Sequence, residues 1–150
     1  MNTPVVAVRI VEWTPEFAVG VREIDREHQN WFEILNRLHA AMLEGRGTQV
    51  LTSLFAEMTQ YTLSHFAREE EFMKGVRYPE ALEHTRQHEG LRRRTHAFVE
   101  RFERGEVTMT IELSLFLAEW IRKHIITSDR LLGEYVQALP ATGPTHRAYR

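Results

Sequence analysis

Four amphipathic stripes constrain the fold of this chain more than any other feature. In each stripe apolar residues recur at alternating spacings of three and four, the period of a helix with one buried face. Glycine or proline separates the stripes, which predicts helices over residues 21–44, 49–74, 79–104 and 110–137. Four helices of this length with short connections predict an all-α, up-down-up-down antiparallel four-helix bundle.

Capping residues and the apolar pattern refine these helices. Thr48 is the expected N-cap of the second helix, and Pro79 suits the first turn of the third. The fourth helix is expected to begin near Thr108 or Thr110. Its inward-facing stripe is predicted to contain Leu113, Leu117, Trp120, His124, Leu131 and Tyr135.

The two ends of the chain lack this helical period. Residues 1–20 contain two prolines, a glycine and several valines, and are expected to form an extended N-terminal arm. Residues 138–150 are expected to form a flexible tail. The bundle itself is therefore assigned to residues 21–137.

Composition excludes several classes of function. The 150 residues fit one domain, and a formal net charge of -2 with scattered basic residues argues against nucleic-acid or membrane-surface binding. Without cysteine, any metal must be held by nitrogen and oxygen atoms. There is no membrane-spanning apolar run and no secretory signal pattern, so we expect a cytoplasmic protein. We also expect a monomer, because the predicted bundle leaves no exposed apolar stripe.

Polar residues interrupt all four stripes at positions where leucine or isoleucine is expected. They are His28, His65, Glu69, His84, His88 and His124. His65 with Glu69, and His84 with His88, are i, i+4 pairs, so each pair lies on one face of its helix. Burying such groups without a compensating charge costs several kcal/mol per ion, and a metal cation supplies that charge. The sequence therefore predicts a metal centre inside the bundle.

A histidine on an apolar stripe is more often an ordinary core or boundary residue than a ligand. We give this interpretation to His39, His96 and His146. His39 shares the face of His28 but lies about 16 Å further along the helix. Glu70 and Glu71 are expected to face solvent, because consecutive helical residues cannot all point inward.

Four stretches resemble the hemerythrin family, in particular its single-domain bacterial members, the bacteriohemerythrins. They are "VGVREIDREH" at 19–28, "HFAREEEFM" at 65–73, "YPEALEHTRQH" at 78–88 and "WIRKHIITSD" at 120–129. The resemblance implies two iron ions joined by an oxo or hydroxo bridge. The implied ligands are His28, His65, Glu69, His84, His88, His124 and Asp129.

Asp129 enters this set through the family pattern alone. It follows His124 by five residues, about 140° around an ideal helix, so it does not share the face of that histidine. A locally widened turn of the π type would bring the carboxylate inward.

The resemblance also implies a function. His84, His88 and His124 would hold one iron at six-coordination, and His28 and His65 would leave the other five-coordinate, with one position open for dioxygen. The apolar pocket around that position matches Trp31, Phe66, Trp120, Ile121 and Ile125. We therefore expect a reversible dioxygen carrier, store or sensor rather than an enzyme.

Two alternatives remain open on the same bundle. One is a diiron oxidase, peroxidase or nitric-oxide-handling enzyme, which additional carboxylate ligands would favour. The other is an iron supply or repair protein, which extra acidic groups around a labile site would favour, with Glu70 as the residue to inspect. Under these hypotheses an unidentified reductant or client protein would be a partner besides dioxygen.

Overall fold

The computed structural model describes residues 9–106, 108 and 111–140 of the chain. Residues 1–8 of the arm, Thr110, and residues 141–150 of the tail, including His146, lie outside the described residues. The helices are α1 (Arg22–Leu43), α2 (Thr48–Gly75), α3 (Ala81–Glu103), α4 (Ile111–His124) and α5 (Arg130–Gln137), and a π-helical turn (Ile125–Asp129) joins the last two. The described part contains no strand, and the predicted all-α four-helix bundle is confirmed. None of the helices in this part has the length and apolarity needed to cross a membrane.

Neighbouring helices run in opposite directions. The ring of His28, near the start of α1, lies 4.8 Å from that of His65 in the second half of α2. Glu69, one turn later in α2, lies 2.7 Å from His84 near the start of α3. The same end of the bundle therefore collects the start of α1, the end of α2 and the start of α3.

Two predicted helix starts differ from the structure. Gly47 occupies the N-cap of α2, and Thr48 is already its first helical residue. The third helix begins at Ala81 rather than at 79, because the N–H of Ala81 donates to the carbonyl of Tyr78 and closes a turn that contains Pro79.

The described part of the arm packs against the bundle. A short 3₁₀ turn (Pro15–Phe17) interrupts the extended backbone, and the side chains of Val11 and Phe17 are buried. Asn36 of α1 holds the extended backbone around Val11 in place. Its side-chain amide donates a hydrogen bond to the carbonyl of Val11 at 2.8 Å and accepts one from the N–H of Val11 at 3.1 Å.

Helix α4, the π-helical turn and α5 follow one another without a gap and together form the fourth helical segment. The π-helical turn changes which residues of this segment face inward. Leu131, predicted to be internal, is 57% exposed, whereas Leu132 and Val136 are buried. The widened turn inserts a residue into the helical count, so every later side chain is rotated around the axis. Tyr135 is half-buried, and its hydroxyl donates to the carbonyl of Val76 at 2.8 Å.

Helix α3 contributes little apolar side-chain area to the core. Its buried residues are His84, His88, Leu91 and Thr95. Half of this set consists of predicted metal ligands. The packing of the first two turns of α3 therefore depends on which hydrogen-bond partners or metal ions the imidazoles of His84 and His88 find.

Candidate metal centre

Seven polar side chains from α1, α2, α3, α4 and the π-helical turn converge at one end of the bundle. They are His28 of α1, His65 and Glu69 of α2, His84 and His88 of α3, His124 at the end of α4, and Asp129 in the π-helical turn. None is more than 5% exposed. The structure thus brings together every residue that the sequence analysis proposed as a ligand.

Glu69 lies between two groups of histidines and presents a different oxygen to each. Its Oε1 is 2.7 Å from Nε2 of His84 and 3.2 Å from Nε2 of His88. Its Oε2 is 3.2 Å from Nε2 of His65 and 3.7 Å from Nε2 of His28. This is the arrangement expected of a carboxylate that bridges two cations.

Asp129 divides its oxygens in the same way. Oδ1 is 3.0 Å from Nε2 of His84 and 3.3 Å from Nε2 of His124, while Oδ2 is 3.1 Å from Nε2 of His28. The two carboxylates therefore separate two sets of imidazoles. We call them the three-histidine half (His84, His88, His124) and the two-histidine half (His28, His65).

The π-helical turn places Asp129 in this centre. The N–H of Arg130 donates to the carbonyl of Ile125, five residues back, and the hydroxyl of Thr127 donates to the carbonyl of Lys123 at 2.6 Å. The widened turn turns the Asp129 carboxylate inward, where it is fully buried. The local distortion that the sequence analysis required for this residue is present.

The centre fits metal ions because its buried polar atoms lack sufficient protein partners. Within the described part of the chain, no hydrogen-bond partner exists for either ring nitrogen of His28, Nε2 of His65, Oε2 of Glu69 or either oxygen of Asp129. An unsatisfied buried polar group costs about 1–3 kcal/mol. Ligand atoms about 2.1 Å from one ion and at right angles are roughly 3 Å apart, close to most of the separations seen here. Imidazole nitrogens with carboxylate oxygens suit divalent transition metals, iron among them.

The charges in the centre lead to the same conclusion. Burial lowers the pKa of His28 and His84, but the carboxylates of Asp129 and Glu69 outweigh burial and raise these values to about 9 and about 10. Burial raises the pKa of Glu69, yet the four surrounding imidazoles hold it well below the ordinary range. In the metal-free protein, protons on imidazoles therefore provide positive charge that bound cations would otherwise bring.

An arginine–carboxylate pair supports His65 from outside the centre. Nδ1 of His65 donates to Oε1 of Glu27 at 2.7 Å, and Nε of Arg68 donates to Oε2 of the same carboxylate at 2.7 Å. This contact fixes the ring so that its Nε2 faces the centre. Glu27 was not predicted from sequence, because it belongs to another helix and no spacing relates it to His65.

A second pair supports His88, and here one expectation is corrected. Glu70 was expected to face solvent, but it is only half-exposed, and its Oε2 accepts hydrogen bonds from Nδ1 of His88 at 2.8 Å and from Arg92 at 2.7 Å. Arg92 follows His88 by four residues, so helical spacing alone indicated that these two are neighbours. Glu71 is exposed, as expected.

His124 has a neutral partner instead. Oε1 of Gln87 accepts hydrogen bonds from Nδ1 of His124 at 3.0 Å and from the hydroxyl of Ser128 at 2.5 Å. Gln87 was also missed by the sequence analysis, because the contact joins α3 to the fourth helical segment.

Apolar and aromatic side chains surround the centre. Four of the proposed pocket residues, Trp31, Phe66, Ile121 and Ile125, are fully buried. The ring of Trp31 is 5.1 Å from that of His65, and the ring of Phe66 stacks on His88 at 3.9 Å. Trp120 differs, because it is only half-buried; it stacks on His124 at 4.6 Å and lines a surface cleft with Lys123.

The other described histidines lie outside the centre. His39 is buried beside Ser114, with its Nδ1 2.7 Å from the hydroxyl oxygen, and His96 is exposed. Both therefore have the ordinary structural environments that the sequence analysis gave them.

Comparison with known proteins identifies relatives of this chain. Residues 19–136 match the family model described as the hemerythrin HHE cation binding domain. A bacteriohemerythrin of Stenotrophomonas maltophilia is 33% identical over 129 residues, which cover 86% of this chain and 83% of that protein. A bacteriohemerythrin of Methylococcus capsulatus is 27% identical over 130 residues, covering 86% of this chain and 98% of the relative.

Solved structures give the same result for the fold. A crystal structure of wild-type hemerythrin superposes with a TM-score of 0.81 at 25% sequence identity, and the match covers 85% of this chain and 98% of the other. A mutant hemerythrin superposes with a TM-score of 0.82 over 87% of this chain. Residues 19–136, which match the family model, contain the complete buried cluster.

Proposed function

The chain belongs to the hemerythrin family, and on that premise we propose that it holds two iron ions in the buried centre and binds dioxygen reversibly. The observation that carries the proposal is the unequal division of the imidazoles by the two bridging carboxylates. With one oxygen from each carboxylate, the three-histidine half offers five ligand atoms and the two-histidine half offers four. The two-histidine half would therefore leave more of the coordination sphere of its metal ion free for dioxygen than the three-histidine half would.

The protein supplies the geometry and the iron supplies the chemistry. When bound, a diiron centre provides both the open coordination position and the two electrons that reversible dioxygen binding requires. His65 and His88 are held by hydrogen bonds to Glu27 and Glu70, so their ligating nitrogens stay directed inward. These two imidazoles are therefore oriented before dioxygen binds.

Reversible binding also requires that water and reductants stay out of the site. Trp31 lies beside the two-histidine half, and its indole N–H donates to the hydroxyl of Thr62 at 2.9 Å, which fixes the ring orientation. With Phe66, Ile121 and Ile125 it forms a buried, largely apolar surround. We propose that this surround keeps the oxygen site dry.

The arrangement favours binding over catalysis. Among the described residues, only Glu69 and Asp129 offer carboxylate oxygens to the cluster. Glu27 and Glu70 contact the outer Nδ1 atoms of histidines instead. Diiron enzymes on related bundles use more carboxylate ligands than this. We therefore place the oxidase, peroxidase and iron-supply alternatives behind a dioxygen carrier, store or sensor.

Visible absorption tests the proposal. The full-length chain is reconstituted anaerobically with two ferrous ions per chain and measured before oxygen, after oxygen, and after purging with argon. We expect a charge-transfer band that appears with oxygen, bleaches on purging and returns on re-exposure. The variant His39→Gln, which changes a buried histidine outside the cluster, should behave in the same way, and His65→Gln should not.

Two results would overturn the carrier function. One is conversion to a permanent ferric spectrum on the first exposure to oxygen. The other is continuous consumption of oxygen when a reductant is supplied, because that indicates turnover rather than storage.

A further inference from the structure

A surface cleft between the first turns of α1 and the last turns of α2 leads to the metal centre. It has a volume of about 270 Å³, and its charged lining residues are Glu23, Glu27, Arg68, Glu69 and Glu71, beside the apolar Ile24 and Phe72. Resting on the proposed diiron function, we propose that this cleft is the route by which ferrous iron enters and leaves the centre. The exposed carboxylates attract the cation, and Glu69 receives it.

The inner end of the cleft is suited to receive a cation. Glu69 is 1% exposed, and its Oε2 has no hydrogen-bond partner in the described part of the chain. That oxygen faces the two-histidine half, 3.2 Å from Nε2 of His65. An ion reaching Glu69 therefore meets an unpaired carboxylate oxygen directly beside imidazole ligands.

The charges along the cleft also favour cations. Glu23 and Glu71 are exposed near the mouth, Glu27 is half-buried, and Arg68 is the one cation in the lining. A cleft lined mainly by one sign of charge raises the local concentration of the opposite ion.

Arg68 controls the charge at the mouth. Its Nε donates to Glu27 at 2.7 Å, and its side chain is about half exposed, so solvent-side motion is open to it. While this pair is formed, the guanidinium occupies the carboxylate that a passing cation would use. Removing the positive charge should therefore speed the uptake of iron.

Two other clefts touch ligand residues but are less suited to this role. The cleft beside His124 has Lys123 as its one charged lining residue, and the positive charge of this lysine repels cations. The cleft beside His84 carries Glu80 and Glu83, but it ends on an imidazole whose Nε2 already faces both bridging carboxylates. This second cleft supplies a matched control.

The test compares two double variants with the same change of charge. Glu23→Gln with Glu71→Gln neutralises the proposed route, and Glu80→Gln with Glu83→Gln neutralises the cleft beside His84. The pairs match closely, because Glu23 and Glu83 each form an exposed i, i+3 ion pair with an arginine. Glu71 and Glu80 are both exposed.

Stopped-flow tryptophan fluorescence after mixing metal-free full-length protein with anaerobic Fe²⁺ measures the uptake rate. Trp31 and Trp120 report on the site because their rings lie 5.1 Å from His65 and 4.6 Å from His124. We call Glu23→Gln with Glu71→Gln the route variant. At low salt we expect it to take up iron at least about threefold more slowly than the original protein, and at high salt this difference should shrink. The control should match the original protein, and both should still bind two irons at equilibrium.

A second comparison tests the opposite effect, a faster uptake of iron. Arg68→Gln should accelerate iron uptake, whereas Arg86→Gln, which removes the same charge from an exposed position of α3, should not.

The outcomes separate the route from the function. Equal rates in the original protein and the route variant, equal slowing in both double variants, or slowing in the control alone would overturn the route while leaving the two-iron centre intact. A chain that binds no iron at equilibrium would overturn both.

Discussion

Glu69 and Asp129 both approach Nε2 of His84, at 2.7 and 3.0 Å, although one carboxylate comes from α2 and the other from the π-helical turn. Each also reaches the two-histidine half with its second oxygen. The two halves of the centre are therefore joined by shared ligands, and a change to either carboxylate should affect both metal positions.

Replacing a bridging carboxylate should destroy the two-iron site. We expect Glu69→Gln to bind one iron or none per chain and to lower the melting temperature of the iron-loaded protein towards that of the metal-free form, because metal binding stabilises the folded state. Metal analysis and thermal unfolding measure both effects. Glu71→Gln, an exposed neighbour, should retain two irons at equilibrium. Two irons in Glu69→Gln would contradict the bridging role.

Glu70, which contacts the outer Nδ1 atom of His88, should strengthen metal binding without being a ligand itself. We expect Glu70→Gln to weaken iron affinity about tenfold or more, because the imidazole loses a charged acceptor that fixes its orientation and raises its basicity. Competition with a chelator measures the change. Glu89→Gln is the control, since Glu89 also pairs with Arg92, at 2.5 Å, but does not touch His88. Equal affinities in the two variants would show that Glu70 has no such role.

The metal-free protein should lose stability at alkaline pH. The pKa values of His28 and His84 are raised from the ordinary 6.5 to about 9 and about 10. Their protonation therefore stabilises the fold fully below pH 6.5, and this stabilisation is lost as the pH rises through 9 and 10.

Thermal unfolding between pH 6 and pH 10 measures this dependence. The iron-loaded protein should lack the alkaline loss, because metal ions then replace the protons. His96→Gln, which alters an exposed histidine, should leave the profile unchanged. A metal-free protein with constant melting temperature over this range would contradict the prediction.

A polar group in the apolar surround should shorten the life of the oxygenated protein. Ile121 is fully buried, and Ile121→Thr introduces a hydroxyl while shortening the side chain by one carbon. We expect severalfold faster oxidation to the ferric form, because the hydroxyl can hold water and supply a proton near the site. The decay of the oxygenated spectrum measures the rate. Val136→Thr makes a similar change at a buried position of α5 and should leave the rate unaltered, and an unaltered rate in Ile121→Thr would remove this residue from the pocket.

Gly133 should tolerate no side chain, because the arm lies against it. A Cβ atom built on Gly133 would stand 2.0 Å from the carbonyl oxygen of Val19, so Gly133→Ala must displace the arm. We expect a loss of about 1–3 kcal/mol in the free energy of unfolding. Gly90 of α3 has open space around it, and Gly90→Ala should instead stabilise the helix by up to about 1 kcal/mol. Chemical denaturation measures both, and unchanged stability in Gly133→Ala would contradict the close packing.

Much of the fold could be predicted from sequence because it depends on local periodicity. The helical stripes gave the number and approximate bounds of the helices, since a residue's angular position follows from 3.6 residues per turn. The i, i+4 pairs, His65 with Glu69 and His84 with His88, share helix faces for the same reason. The prediction failed at Leu131, where the π-helical turn breaks the period and rotates the following residues.

Sequence by itself determined which residues meet along one helix, and tertiary structure decided which residues meet between helices. The contacts of Glu27 with His65, of Gln87 with His124 and of Glu70 with His88 each join two helical segments. Such contacts depend on the rotation and depth of each helix in the bundle, which the packing of many side chains fixes together. The same packing directs the two oxygens of Glu69 towards different halves of the centre. The residue types and the family resemblance therefore indicated a metal centre with unequal halves, and the assembled bundle places the three-histidine half and the two-histidine half on the two sides of the shared carboxylates.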